Sequence, residues 1–404
     1  MKLRLWKRVD FIERHEVIFK KLRKKIMSKK ERIYNKLIIV GNGFDLALGL
    51  KTSYNNFLFW YLQNLLQRSV IKNKTINKFK EPVRYLYFKD QLTTTYWIKQ
   101  FKVNELKEVI KENDTLAKVQ ELLKKKSHVI IEKNSLLFKL IYDSSLNSWV
   151  DIERTYYHIL KTNLKRGQKI EIEKLNNDFN FLKTQLEIYL TSLKIPSFEN
   201  NEKGILFSEQ FFDGVSYEEM MDASPEDSIG RKDILLLNFN YTASLQRLLK
   251  SVEDRYKPKI NYTVNHIHGK LNSNEEKIIF GYGDEMDENY QQIQDLNNNL
   301  YLENIKSFQY FRSPNYRELL RFVNSNEYQV CIYGHSCGLS DRVMLNEIFE
   351  NKNCKSIKVY YYKDENDYTN KTMEISRHFK DNNSMRKKIV NFNYKDIIPQ
   401  LEKK

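Results

Sequence analysis

Leu37-Ile38-Ile39-Val40-Gly41-Asn42-Gly43 is the stretch on which the reading of the fold turns. Four apolar residues, three of them β-branched, run together without the polar alternation of a half-exposed strand, so both faces of the element must be covered. Such a strand belongs to a parallel sheet with helices on either side, and the two glycines at its end mark a sharp exit. Thr52 or Ser53 then stands where a helix cap is expected. Tyr54, Phe57, Leu58, Trp60, Tyr61 and Leu65 follow at helical spacing.

Further along the 404-residue chain, short apolar segments recur at residues 234–237, 262–264, 277–280, 328–333 and 356–361, most of them separated by helical stretches. This order predicts an α/β protein: a Rossmann-like, doubly wound, mainly parallel sheet with a large helical insertion. Residues 71–232 form the expected insertion, with Ser148 to Asp151 reading as a capping box and Glu171 to Leu193 as an amphipathic helix. Its last part, residues 196–232, holds Pro196, Pro225 and three glycines and reads as an irregular connection. The Rossmann-like core is then expected at residues 37–70 together with 233–404, preceded by a basic arm at 1–36.

The formal net charge of +16 suggests nucleic acid until it is located. Residues 1–36 hold 14 Lys or Arg against four acids, so most of the excess lies in the arm, which reads either as a solvated helix or as a contact for phosphate backbones or anionic lipid. Met27 offers an alternative start within it. Cys331, Cys337 and Cys354 are odd in number and show no Cys-x-x-Cys spacing. No run approaches the ~20 apolar residues of a membrane span, so the expected location is a reducing cytoplasm.

Polar clusters fall at the C-terminal ends of the expected strands, where open α/β sheets place their ligands. The clusters are residues 41–45, 238–242, 266–269, 281–284 and 334–338. Gly41 and Gly43 suit close approach of a phosphate or simply a tight turn, and the spacing matches neither G-x-G-x-x-G nor a Walker loop. Asn240 reads as a ligand amide or a helix cap, with Thr242 the better cap. His266 and His268, two apart on strand-like chain, share an expected face. They fit an acid/base or polarising role, a buried structural pair, or zinc with His335 and Asp284 as further ligands; no zinc-ligand spacing joins these, and no metal is expected. Gly334-His335-Ser336-Cys337-Gly338 matches the G-x-S-x-G nucleophile elbow, with Asp364 and His378 following in hydrolase order. Ser340-Asp341 reads as a helix N-cap further on, which would leave Ser336 in a loop as a phosphate or ribose contact.

Asn42-Gly43-Phe44-Asp45-Leu46-Ala47 followed by Lys51-Thr52-Ser53-Tyr54 resembles the opening of the AbiH abortive-infection proteins of bacteria. Residues 239–242, 266–269, 280–283 and 333–336 resemble later motifs of that family in the same order. The family is similar, more distantly, to Sir2-like NAD-binding domains. That likeness implies NAD as substrate or ligand, Gly41 to Phe44 on its phosphates, Asn240 and His268 as catalytic residues, and Ser336 on ribose or phosphate. Thr242 departs from the Sir2 pattern, which has Asp there, and the zinc-ribbon cysteines are missing. The full ligand-contacting set expected is Gly41, Asn42, Gly43, Phe44, Asp45, Ser53, Thr242, His266, Gly269, Gly334, His335, Ser336 and Asp341. The implied function is an antiphage effector that binds NAD or a related nucleotide and hydrolyses its N-glycosidic bond. Alternatives are a nucleotide-sensing or nucleic-acid-directed module without cleavage, and a serine hydrolase using Ser336. The implied partners are a nucleotide ligand, a phage-encoded trigger, nucleic acid along the arm and further copies of the chain.

Overall fold

The computed structural model describes residues 31–64, 85–88, 92, 96–99, 136, 139–140, 149–164, 169–198, 202–253 and 260–401. Residues 1–30 of the basic arm, Met27 and Ser148 of the expected capping box lie outside them. Five strands make one all-parallel sheet: β1 (Glu31–Val40), β4 (Ser228–Asn238), β5 (Asn261–His266), β6 (Tyr328–Tyr333) and β7 (Cys354–Tyr360), in the order β5-β4-β1-β6-β7. The chain winds outward from β1 to one side, then returns to lay β6 against its other edge. The resulting switch point opens a crevice beside the C-terminal end of β1.

Alternation along the central strands explains why their sequences are apolar throughout. Leu37 and Ile39 of β1, Leu235 and Leu237 of β4, and Val330 and Ile332 of β6 enter one core layer. Ile38 and Val40, Ile234 and Leu236, and Cys331 and Tyr333 enter the layer on the opposite face. Helices Asn315–Ser325 and Arg342–Glu350 cover the first face and helices Glu202–Phe212 and Ser244–Ser251 the second. A third core joins helices Trp149–Leu164 and Lys169–Ser192 of the insertion to the helix at 54–64, through buried Phe57, Tyr156, Phe179 and Leu186.

Several expectations need correction. Residues 277–280 pair with no sheet strand; they run without regular secondary structure, with Ile279 N–H donating to His268 O at 2.8 Å. The insertion holds an antiparallel pair, β2 (Tyr85–Phe88) and β3 (Tyr96–Lys99), that the charged sequence conceals. Residues 196–232 are less irregular than expected, because helix Glu202–Phe212 packs Phe207 and Phe211 onto the sheet. β1 also starts at Glu31, inside the expected arm. Two cations counted with the arm belong to the core: Arg32 pairs with Asp222 and Asp227, and buried Lys36 donates to the Gln210 and Asp213 carbonyls. Among the described residues no helix is long and apolar enough to cross a membrane.

Candidate functional site

A cavity of about 330 Å³ lies at the crevice, walled by the chain following β1 (Asn42, Gly43, Asp45), β4 (Phe239 to Thr242), β5 (His268) and β6 (Gly334 to Ser336). Leu190 and Glu153, from the two long insertion helices, close it from above. Tyr54, Phe239, Tyr241 and Phe280 give it flat apolar walls, while Ser336 and Lys371 are polar groups open to solvent in part.

The glycines bring two of these loops into backbone contact. A Cβ on Gly41 would stand 2.4 Å from His335 Cα, one on Gly43 2.7 Å from Gly334 Cα, and one on Gly334 2.5 Å from Phe44 N. Gly334 adopts φ +69°, which β-carbon-bearing residues resist. Gly43 N–H donates to Gly334 O at 2.7 Å. Gly41 therefore serves loop packing behind the wall, and Gly43 serves packing and wall together.

Asp45 is buried at the base of this contact and accepts from Thr242 Oγ1 at 2.7 Å and from Ser244 Oγ. Burial pushes its carboxyl up to about 6 against the pull of those two hydroxyls. Thr242 is thus occupied in tying the β4 loop to the β1 loop, and helix Ser244–Ser251 begins without the side-chain cap expected of Thr242. Asn240 is held at both ends of its residue: its backbone N–H donates to Asn238 Oδ1 and its Nδ2 to Gly41 O, each at 3.1 Å.

The charged part of the wall centres on Asp341. His268 Nε2 lies 3.1 Å from Asp341 Oδ1, and Lys306 Nζ donates to that oxygen at 2.8 Å. Lys306 also reaches Glu153, 3.0 Å from Oε1, and Gly281 N–H donates to the same Oε1 at 3.1 Å. Lys306 and Tyr310 are four apart on one short helix, and Tyr310 OH comes within 3.3 Å of His268 Nε2. All five side chains are buried. Burial would raise the Asp341 carboxyl, but Lys306 and His268 outweigh it and hold it well below the carboxylate range. Burial, then Lys306, lowers His268, which therefore sits as neutral imidazole with Nε2–H on Asp341 and its lone pair on Nδ1. His335 is lowered to about 3 by burial. Cys337 N–H donates to its Nδ1 at 3.0 Å, which leaves the ring proton on Nε2, 3.9 Å from Asp341 Oδ2. The Phe239 ring packs between the two histidines, 4.8 Å from His268 and 4.1 Å from His335 between centroids.

The model of the family described as bacteriophage abortive infection AbiH matches residues 37–363, most of the chain and every loop of the cavity. The chain belongs to the AbiH family. No curated protein matches it.

Within this AbiH chain the cavity gathers Asn42, Gly43, Asp45, Ser53, Asn240, Thr242, His268, Gly334, His335, Ser336 and Asp341 from the expected set. Four members fall elsewhere. Gly41 lies behind the wall. Phe44 points into the core beneath the sheet, its ring centroid 5.7 Å from Phe207 and 6.3 Å from Tyr333. His266 turns away because β5 ends at that residue, so the alternation that would have placed it beside His268 has already stopped; its ring meets Asn238 and Gln246, and burial lowers it to about 4. Gly269, at φ +80°, permits a tight turn against the Lys277 carbonyl.

The elbow reading of Ser336 is also corrected. No helix starts directly after it, the first turn of 3-10 helix coming at Leu339–Asp341; His378 Nε2 hydrogen-bonds Cys337 O at 2.8 Å, and Asp364 caps helix Glu365–Ser376, so the three residues form no relay. Asp341 occupies the N-cap position of helix Arg342–Glu350, but its carboxylate is spent on Lys306 and His268. Glu153, Lys306 and Lys371 escaped the sequence reading, and Tyr241 and Ser340 entered it only as a motif member and a helix cap. Each is a common residue type without a neighbouring glycine or histidine to mark it, and Glu153 lies in the insertion, far from the other motifs in the chain.

Proposed function

We propose that this chain is an abortive-infection effector whose cavity binds NAD or a related nucleotide and hydrolyses its N-glycosidic bond. AbiH membership supports the antiphage role. The nucleotide reading rests chiefly on one observation: Gly43, Asn240, His268 and Ser336, distant in the chain, line a single cavity at the sheet's switch point. Its aromatic walls suit a base, and Lys371 and Ser336 at its open side suit phosphate or ribose oxygens. The more distant likeness to Sir2-like domains points the same way.

Cleavage of an N-glycoside passes through an oxocarbenium-like state, so the pocket must hold the sugar and place one water beside C1′. Asn240, fixed by its bonds to Asn238 and Gly41, orients that water or the ribose. His268 accepts the water's proton on Nδ1, and Asp341 stabilises the imidazolium that forms. Purified chain incubated with NAD and analysed by chromatography for free nicotinamide and adenine tests the reading. Base release by the native chain that Asn240→Ala and His268→Ala abolish supports it; no release of either base refutes it.

A further inference from the structure

Two carboxylates share one ammonium in the cavity wall: Lys306 Nζ is 3.0 Å from Glu153 Oε1 and 2.8 Å from Asp341 Oδ1. With His268 and His335 neutral, full ionisation of both acids would leave one uncompensated negative charge in a buried site. Asp341 keeps its charge because it holds His268 as well as Lys306. The proton therefore falls to Glu153, which faces Lys306, Ser340, Asp341, Tyr241 and the Gly281 N–H. Oε1 accepts from the Gly281 N–H and Oε2 from Lys306 Nζ, each at 3.1 Å, so each oxygen keeps a lone pair at which that proton can sit. Burial pushes this carboxyl up to about 7 against the pull of Lys306.

We infer that Glu153, brought into the cavity by the insertion, is a general acid that protonates the departing base, so that the site takes N-glycosides of neutral nucleobases, purine nucleotides above all. The inference rests on the N-glycosidase reading and adds the class of leaving group. A pyridinium such as nicotinamide leaves as a neutral molecule once the C1′–N electron pair returns to it, and it needs no acid. Adenine departs with that pair on a ring nitrogen and must gain a proton. In the step, the C1′–N bond breaks with its electrons going to the base. The Glu153 proton passes to a ring nitrogen, water oxygen bonds to C1′, and the proton that water releases goes to His268 Nδ1. The products are free base and ribose phosphate; Glu153 is left as carboxylate and His268 as imidazolium, and solvent resets both.

Two mononucleotides of similar size separate the roles: adenosine monophosphate, whose base needs a proton, and nicotinamide mononucleotide, whose base does not. The purified full chain and Glu153→Gln, which keeps the acceptor for Gly281, are compared by chromatography of released base. The expected result is a loss of adenine release of about 10²-fold or more, with nicotinamide release changed much less and adenine release partly restored in Glu153→Asp. If the native chain releases adenine alone, its rate must fall on the alkaline side and Glu153→Gln must lose that fall; persistence of the fall overturns the inference. Equal loss of both activities, no loss, or nicotinamide release without adenine release overturns the role of Glu153 and leaves the N-glycosidase reading standing. Release of neither base from these nucleotides or from NAD overturns both.

Discussion

His268 and Asp341, 73 residues apart in the chain, meet at 3.1 Å in the cavity wall, and Lys306 holds the same carboxylate oxygen at 2.8 Å. A buried imidazole is thereby given a fixed tautomer and a fixed direction.

Asp341→Asn tests that pairing. The amide cannot balance Lys306 or stabilise an imidazolium, so base release should fall by about 10²-fold or more. Breaking a buried pair should also cost about 3 kcal/mol in urea unfolding. A variant with native rates would show that His268 needs no orienting partner.

His266 is expected to act on stability rather than activity. Its folded value of about 4 lies below the ordinary 6.5, so the unfolded chain binds the proton first and stability is lost as pH falls from about 6.5 toward 4. Buried Asp45 and Glu153, both raised, work in the opposite direction over the same range and mask this in the native chain. The contrast with His266→Gln reveals it. The variant's deficit at pH 7 should shrink by roughly 2–3 kcal/mol on going to pH 4, measured by urea unfolding at each pH; a constant deficit would contradict the burial assigned to this ring.

Gly334→Ala places a methyl group 2.5 Å from Phe44 N at φ +69° and should cost about 2–4 kcal/mol. Gly214→Ala, with nothing within 4 Å of the new carbon, should stay within about 0.5 kcal/mol of the native chain. Thermal unfolding of the two variants, run together, distinguishes loop packing from a general intolerance of alanine.

Phe44→Leu should lower stability by about 1 kcal/mol and leave nucleotide turnover unchanged, because the ring belongs to the core with Phe207 and Phe211. A large loss of turnover with intact stability would return Phe44 to the ligand.

The sheet was legible because its strands are covered on both faces, which writes uninterrupted apolar runs at Leu37 to Val40 and Ile234 to Leu237. Residues 277–280 carry the same signature without joining the sheet, since apolarity reports burial and Ile278, Ile279 and Phe280 are buried without regular structure, Phe280 in the cavity wall. The cavity itself was half legible. Gly43, Asn240, His268 and Ser336 stand beside glycines or at strand ends, where backbone geometry restricts the choice of residue. Glu153 and Lys306 acquire their character only from burial and from each other, across 153 positions of chain, and no local pattern records such a pair. His266 shows the converse error, a residue conspicuous in sequence whose ring turns out to serve packing.

The most direct test of the account measures NAD, adenine nucleotides and free bases in cells expressing the native chain or His268→Ala. The account predicts that growth arrest by the native chain comes with a falling nucleotide pool and a matching rise in free base, and that the variant shows neither. Arrested cells with an unchanged nucleotide pool would contradict it.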